Sequence, residues 1–105
     1  MIQEKGQQAL RLRHKPWAIP EMKENPYVVF EDEGRELKGK WQSTFATPQP
    51  LHLDLGAGRG RYLIELAKKE PQLNVLGVEL SADAMAQGAR ELKELALPNA
   101  MLLIA

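Results

Sequence analysis

The chain of 105 residues has no cysteine, which excludes disulfide staples, thiolate zinc sites and a cysteine nucleophile together. A cysteine-free chain suits a reducing compartment, and the cytoplasm is the expected location. No stretch approaches the roughly 18 apolar residues of a membrane span, and the first ten residues are too polar for a signal peptide. The expectation is a soluble protein without a membrane partner. Net charge is missing too: 14 Lys and Arg balance 14 Asp and Glu, so charge over the whole molecule singles out no partner. Histidine occurs only as His14 and His52, and serine only as Ser43 and Ser81. No metal cluster, nucleophile–histidine pair or G-x-S-x-G elbow can be assembled from these, which disfavours hydrolase chemistry.

What is present, 44% hydrophobic and 27% charged residues, is the composition of one globular unit. Local charge is less even than the total. Residues 5 to 23 carry Lys5, Arg11, Arg13, Lys15 and Lys23 against Glu21, whereas 24 to 36 carry Glu24, Glu31, Asp32, Glu33 and Glu36 against Arg35. Four of the seven prolines fall in the first 48 residues, and only the short run Tyr27-Val28-Val29-Phe30 shows any pattern there. Residues 1–48 therefore read as an irregular N-terminal arm.

Beyond Pro50 the pattern becomes regular. Leu51-His52-Leu53-Asp54-Leu55 is a strand-like run stopped by glycines, and Tyr62, Leu63, Leu66 and Ala67 then recur at helical spacing until Pro71. Val75 to Leu80 reads as a second strand. Ser81 follows as the N-cap of a helix whose apolar face holds Met85, Ala89, Leu92 and Ala96. Met101 to Ile104 is a third apolar run, so residues 49–105 form a βαβαβ unit, which right-handed crossovers make a parallel sheet covered by helices. The fold class is α/β, the first half of a doubly wound, Rossmann-like sheet. A third strand at the very end of the chain predicts further sheet beyond Ala105, and an exposed edge on that strand prone to self-association.

The strongest local signal is Asp54-Leu55-Gly56-Ala57-Gly58-Arg59-Gly60, an acid at a strand end followed by alternating glycines and a helix. Glycine permits the sharp turn and lets a ligand lie on the backbone at the helix N-terminus. A tight turn without a ligand is the plain alternative. Glu79, at the end of the second strand, weighs against it, because doubly wound folds hold ribose hydroxyls with an acid there. The dinucleotide fingerprint G-x-G-x-x-G is not met, since the third glycine comes one residue early, and Asp54 would repel a pyrophosphate. A carboxylate there attracts a cation instead. S-adenosylmethionine has a ribose for Glu79, no phosphate, and an ammonium that Asp54 could hold directly or through water.

Two further segments carry chemical signals. Gly34-Arg35-Glu36-Leu37-Lys38-Gly39-Lys40-Trp41 has the spacing of a phosphate loop but ends on tryptophan where a magnesium-binding hydroxyl is needed, and Glu36 would face the phosphates. Leu10-Arg11-Leu12-Arg13-His14-Lys15-Pro16-Trp17 interleaves cations with apolar residues, which suits nucleic-acid phosphates and base stacking or, equally, a solvated basic stretch. A nicotinamide-dependent oxidoreductase half, a non-catalytic RNA-binding module and an S-adenosylmethionine-dependent protein acting on a small molecule or a protein remain as alternatives.

The segments Leu10 to Ala18, Gly39-Lys40-Trp41 with Phe45, Leu51 to Tyr62 and Asn74 to Leu80 together resemble the bacterial tRNA (guanine-N7)-methyltransferase family, over nearly the whole chain. The resemblance implies a Rossmann-like enzyme that uses S-adenosylmethionine, bound by Asp54 and Glu79 over the backbone of Gly56, Ala57 and Gly58. It also implies tRNA as partner, with Arg11, Arg13 and Lys15 on its phosphates. Many members have glutamate at the position of Asp54. In that family an acid after the third strand contacts adenine and a later Asp-Pro-Trp motif holds the guanine; both would lie beyond Ala105. No residue of this chain is therefore expected to be catalytic, and the chain alone is expected to transfer no methyl group.

Overall fold

A computed structural model describes residues 14–105. The expected βαβαβ succession is present as β2 (Leu51–Leu55), α3 (Arg61–Lys69), β3 (Asn74–Glu79), α4 (Ala82–Leu95) and β4 (Ala100–Ile104). All pairings are parallel, with Leu51 opposite Asn74 and Val75 opposite Ala100. Alternation explains β2, and a run buried along most of its length explains β3 and β4. Helix α4 starts where expected, the Ser81 hydroxyl accepting from the Ala84 N–H at 3.2 Å. It ends one residue before Ala96, which is exposed and turns left-handed (φ 51°) as the C-cap. Ala96 thus belongs to the helix stop and not, as its spacing suggests, to the buried face.

The described part of the arm is not irregular. It forms α1 (Ala18–Lys23), β1 (Val28–Phe30), α2 (Glu31–Glu36) and a 3-10 helix (Trp41–Thr44). Strand β1 pairs in parallel with β4, Val28 lying opposite Leu102, so the sheet order is β1-β4-β3-β2. The edge of the third βαβαβ strand, expected to be open, is covered by this segment of the arm. The Tyr27-Val28-Val29-Phe30 run that stands out in the arm's sequence contains this strand, but it is too short to identify an element, and only pairing with β4 defines it. Among the described residues the margins of the sheet are β1 and β2 instead.

Helices α1, α3 and α4 pack on one face of the sheet around Leu63, Ile64, Met85, Leu92, Leu102 and Met22. A smaller cluster of Val29, Phe45, Leu76 and Met101, with Trp41 against it, lies on the other face. Arm and sheet are joined by specific contacts as well as by area. Arg90 of α4 donates two bonds to Glu21 of α1, at 2.6 and 2.8 Å, while its guanidinium stacks 3.7 Å over the Trp17 ring. Buried Asn25 donates to the Ala89 carbonyl at 2.9 Å. The side-chain amide of buried Asn99 donates to the carbonyls of Ala67 and Glu70 at the end of α3, which the helix leaves without partners, and of Leu73 in the turn that follows. Among the described residues no helix is long and apolar enough to cross a membrane.

Candidate functional site

Strands β2 and β3 run side by side and end together, so parallel pairing alone brings Asp54 and Glu79 to one edge of the sheet. The chain leaves β2 through a turn in which Gly56, Gly58 and Gly60 take φ of 70°, 59° and 79°. This left-handed region is strained for any residue with a Cβ, which explains the alternating glycines. The turn is seated on β3: the N–H groups of Gly56 and Ala57 both donate to the Val78 carbonyl, at 2.8 and 2.9 Å.

Glu79 ties the turn to the following helix. Its Oε1 accepts from the Gly58 N–H at 2.7 Å, and its Oε2 accepts from the Ser81 N–H at 3.0 Å. Each oxygen keeps a second acceptor position, so the carboxylate can order the loop and still receive two hydroxyls. Sequence reasoning assigned it only the second of these tasks.

Asp54 is in a different situation. Among the described residues its Oδ2 is the one buried side-chain polar atom without a hydrogen-bond partner. Burial pushes its carboxyl above the usual aspartate range, with the neighbouring His52 pulling weakly the other way. Buried polar groups are nearly always satisfied, so this orphan atom is open to a donor from a water or a ligand. A cation or an N–H fits this atom; a phosphate does not.

The structure thus brings Asp54, Gly56, Ala57, Gly58 and Glu79 together. Of the expected tRNA contacts, Arg11 and Arg13 lie outside the described residues. Lys15 is docked: its Nζ donates to the Asp83 carbonyl at 2.8 Å and its backbone N–H to Asp83 Oδ1 at 3.0 Å, with His14 Nδ1 3.1 Å from Oδ2. These bonds hold the Asp83 carboxyl below its ordinary range. Asp83, which sequence reasoning missed, fastens the arm to the first turn of α4, two residues from Ser81. Beside it a cleft of about 730 Å³ is lined by Phe30, Leu80, Ser81 and Ile104 among others. Leu80, 80% exposed at its rim, is a large apolar side chain left in water, which the sequence, reading it as the end of an apolar strand, does not reveal. Gly34 to Trp41, by contrast, is the end of α2, a turn and the start of a 3-10 helix, so it does not join a strand to a helix as a phosphate loop does.

A family model described as "Putative methyltransferase" matches residues 48–105. The chain is 41% identical over 93 residues to the tRNA (guanine-N(7)-)-methyltransferase of Lactiplantibacillus plantarum, covering 89% of this chain and 43% of that protein. It is 39% identical over 94 residues to the enzyme of the same name from Limosilactobacillus reuteri, covering 90% and 44%. The chain spans less than half the length of these relatives. Among solved structures, the antibiotic-resistance methyltransferase Kmr matches with a TM-score of 0.50 and 27% identity, covering 68% of this chain and 36% of that one.

Proposed function

The chain belongs to the methyltransferase family whose model it matches from residue 48 to residue 105, and on that premise we propose that it carries the donor-binding part of an enzyme that methylates N7 of a guanine in tRNA with S-adenosylmethionine. The unpartnered, buried Oδ2 of Asp54 carries the reading. The residues fit the donor: Asp54 would take its ammonium, the backbone of Gly56, Ala57 and Gly58 would lie beneath it, and the free acceptor positions of Glu79 would take its ribose hydroxyls. When bound, S-adenosylmethionine supplies an electrophilic methyl group and a neutral thioether as leaving group.

Guanine N7 presents a lone pair and no proton, so attack on a methyl group needs no general base. The protein's part is orientation, and a rigid donor cradle contributes by removing freedom that would otherwise have to be lost at the transition state. The Glu79 latch supplies that rigidity by joining the turn to α4 through a single carboxylate. Relatives named tRNA methyltransferases support tRNA as acceptor. Arg11 and Arg13, with Lys15 at the root of the arm, would meet its phosphates; a cytoplasmic location is in keeping with a tRNA partner.

Calorimetric titration of the chain with S-adenosylhomocysteine and with NAD tests the donor. S-adenosylhomocysteine is expected to bind, and Asp54→Ala to weaken it at least tenfold, about 1.4 kcal/mol. Tighter binding of NAD would establish the oxidoreductase alternative. For the acceptor, Arg11→Glu with Arg13→Glu is expected to weaken tRNA binding, measured by fluorescence anisotropy, and to flatten its salt dependence.

A further inference from the structure

We propose that Gly88, in the middle of α4, is a positioning residue that sets the height of the glycine turn, and with it the surface on which a donor is bound. The part concerning the donor rests on the function proposed above; the part concerning the turn does not. A glycine inside a helix is unfavourable by itself and calls for a packing reason. Here the reason is contact between two backbones. A methyl group on Gly88 would overlap the carbonyl oxygen of Arg59 and lie 3.0 Å from its carbonyl carbon, with Met85 Sδ at 3.4 Å. From the other side, a methyl group on Gly60 would stand 3.9 Å from the Gly88 Cα. Helix and turn meet backbone to backbone at the Arg59 peptide, with the Met85 side chain packed beside the contact.

Neither partner can yield without consequence. Helix α4 is held by the Ser81 cap, by the Asn25 bond to Ala89 and by the Arg90–Glu21 pair, so it cannot back away from the turn. The Arg59 peptide is backbone rather than the tip of a flexible side chain, and it lies between Gly58 and Gly60, both left-handed. A side chain at residue 88 would therefore drive the displacement into the turn, where it meets first the bond from the Gly60 N–H, part of the same peptide, to the Ala57 carbonyl and, beyond it, that from the Gly58 N–H to Glu79. Alanine favours the helix over glycine, so the helix itself gains while the turn loses. That opposition separates a positioning role from a merely structural one.

Gly88→Ala is the test, with Ala89→Gly as its counterpart in the same helix. Amide hydrogen exchange is followed by NMR on the ligand-free chain, and S-adenosylhomocysteine affinity and Tm are measured on each variant. In Gly88→Ala the Gly58 amide is expected to exchange at least tenfold faster and S-adenosylhomocysteine to bind at least tenfold more weakly, with Tm within a few degrees of the parent. Ala89→Gly is expected to lower Tm and leave both the Gly58 amide and the affinity as they were. Unchanged Gly58 exchange in Gly88→Ala would overturn the proposal, as would a Tm fall of more than about 10 °C, which would make the contact a requirement of the whole fold. If the parent chain fails to bind S-adenosylhomocysteine, the donor reading fails, and the exchange comparison still decides whether Gly88 holds the turn.

Discussion

Asp54 stands where the needs of folding and binding conflict. Its carboxylate is partly buried with one oxygen unpartnered, an arrangement that weakens the folded state and suits a cationic ligand. Asp54→Asn keeps the volume and removes the charge. At neutral pH it is expected to raise stability by about 0.5–1 kcal/mol, held to that size by the solvent reaching the rest of the carboxyl, while S-adenosylhomocysteine binding is lost. The gain depends on pH with a definite sign. Because burial raises the folded-state value above the ordinary 3.8, the parent loses stability as pH rises through that raised value. The advantage of Asp54→Asn should therefore be largest near neutrality and vanish below the ordinary value. Tm measured against pH for both proteins checks this.

Single polar side chains hold whole elements in register. Asn99 satisfies three carbonyls at and beyond the end of α3 from the start of β4, so Asn99→Ala leaves buried acceptors unpaired and is expected to cost about 2 kcal/mol, read by denaturant titration. Asp83 works differently, since its bonds to Lys15 and His14 lie near the surface. Asp83→Ala is expected to leave stability nearly unchanged, as exposed ion pairs contribute little, yet to weaken tRNA binding by releasing the root of the arm. As the Asp83 carboxyl is held below its ordinary range, the contribution of these bonds is complete at neutral pH and fades only as pH falls through the lowered value. Parallel thermal melts and tRNA titrations of Asp83→Ala separate the two effects.

Over the whole molecule the sheet is covered unevenly. His52 and Asp54 of β2 lie on the side of α3, where the His52 ring sits 6.2 Å from that of Tyr62. Leu51, Leu53 and Leu55 alternate with them and are 39%, 52% and 74% exposed. An unpaired strand edge beside exposed leucines invites association. Sedimentation of the chain is expected to show self-association that rises with concentration, and Leu53→Lys to suppress it while leaving S-adenosylhomocysteine affinity intact. The sequence-based expectation put the exposed edge on the third strand of the unit, whereas β1 pairs with that strand, β4, and among the described residues β1 and β2 lie at the margins.

Local order was legible in the sequence by itself: the βαβαβ succession, the glycine turn, the Ser81 cap, and Asp54 and Glu79 at strand ends. Each follows from the conformational preferences of a few consecutive residues, and parallel pairing then requires neighbouring strand ends to meet. Only the tertiary structure decided that Val28–Phe30 is a strand, that Asp83 fastens the arm, that Glu79 latches the turn, and that Gly88 lies against Arg59. These depend on which distant segments come into contact, and a three-residue run, one surface acid or one glycine within a helix leaves no periodicity from which that contact can be read.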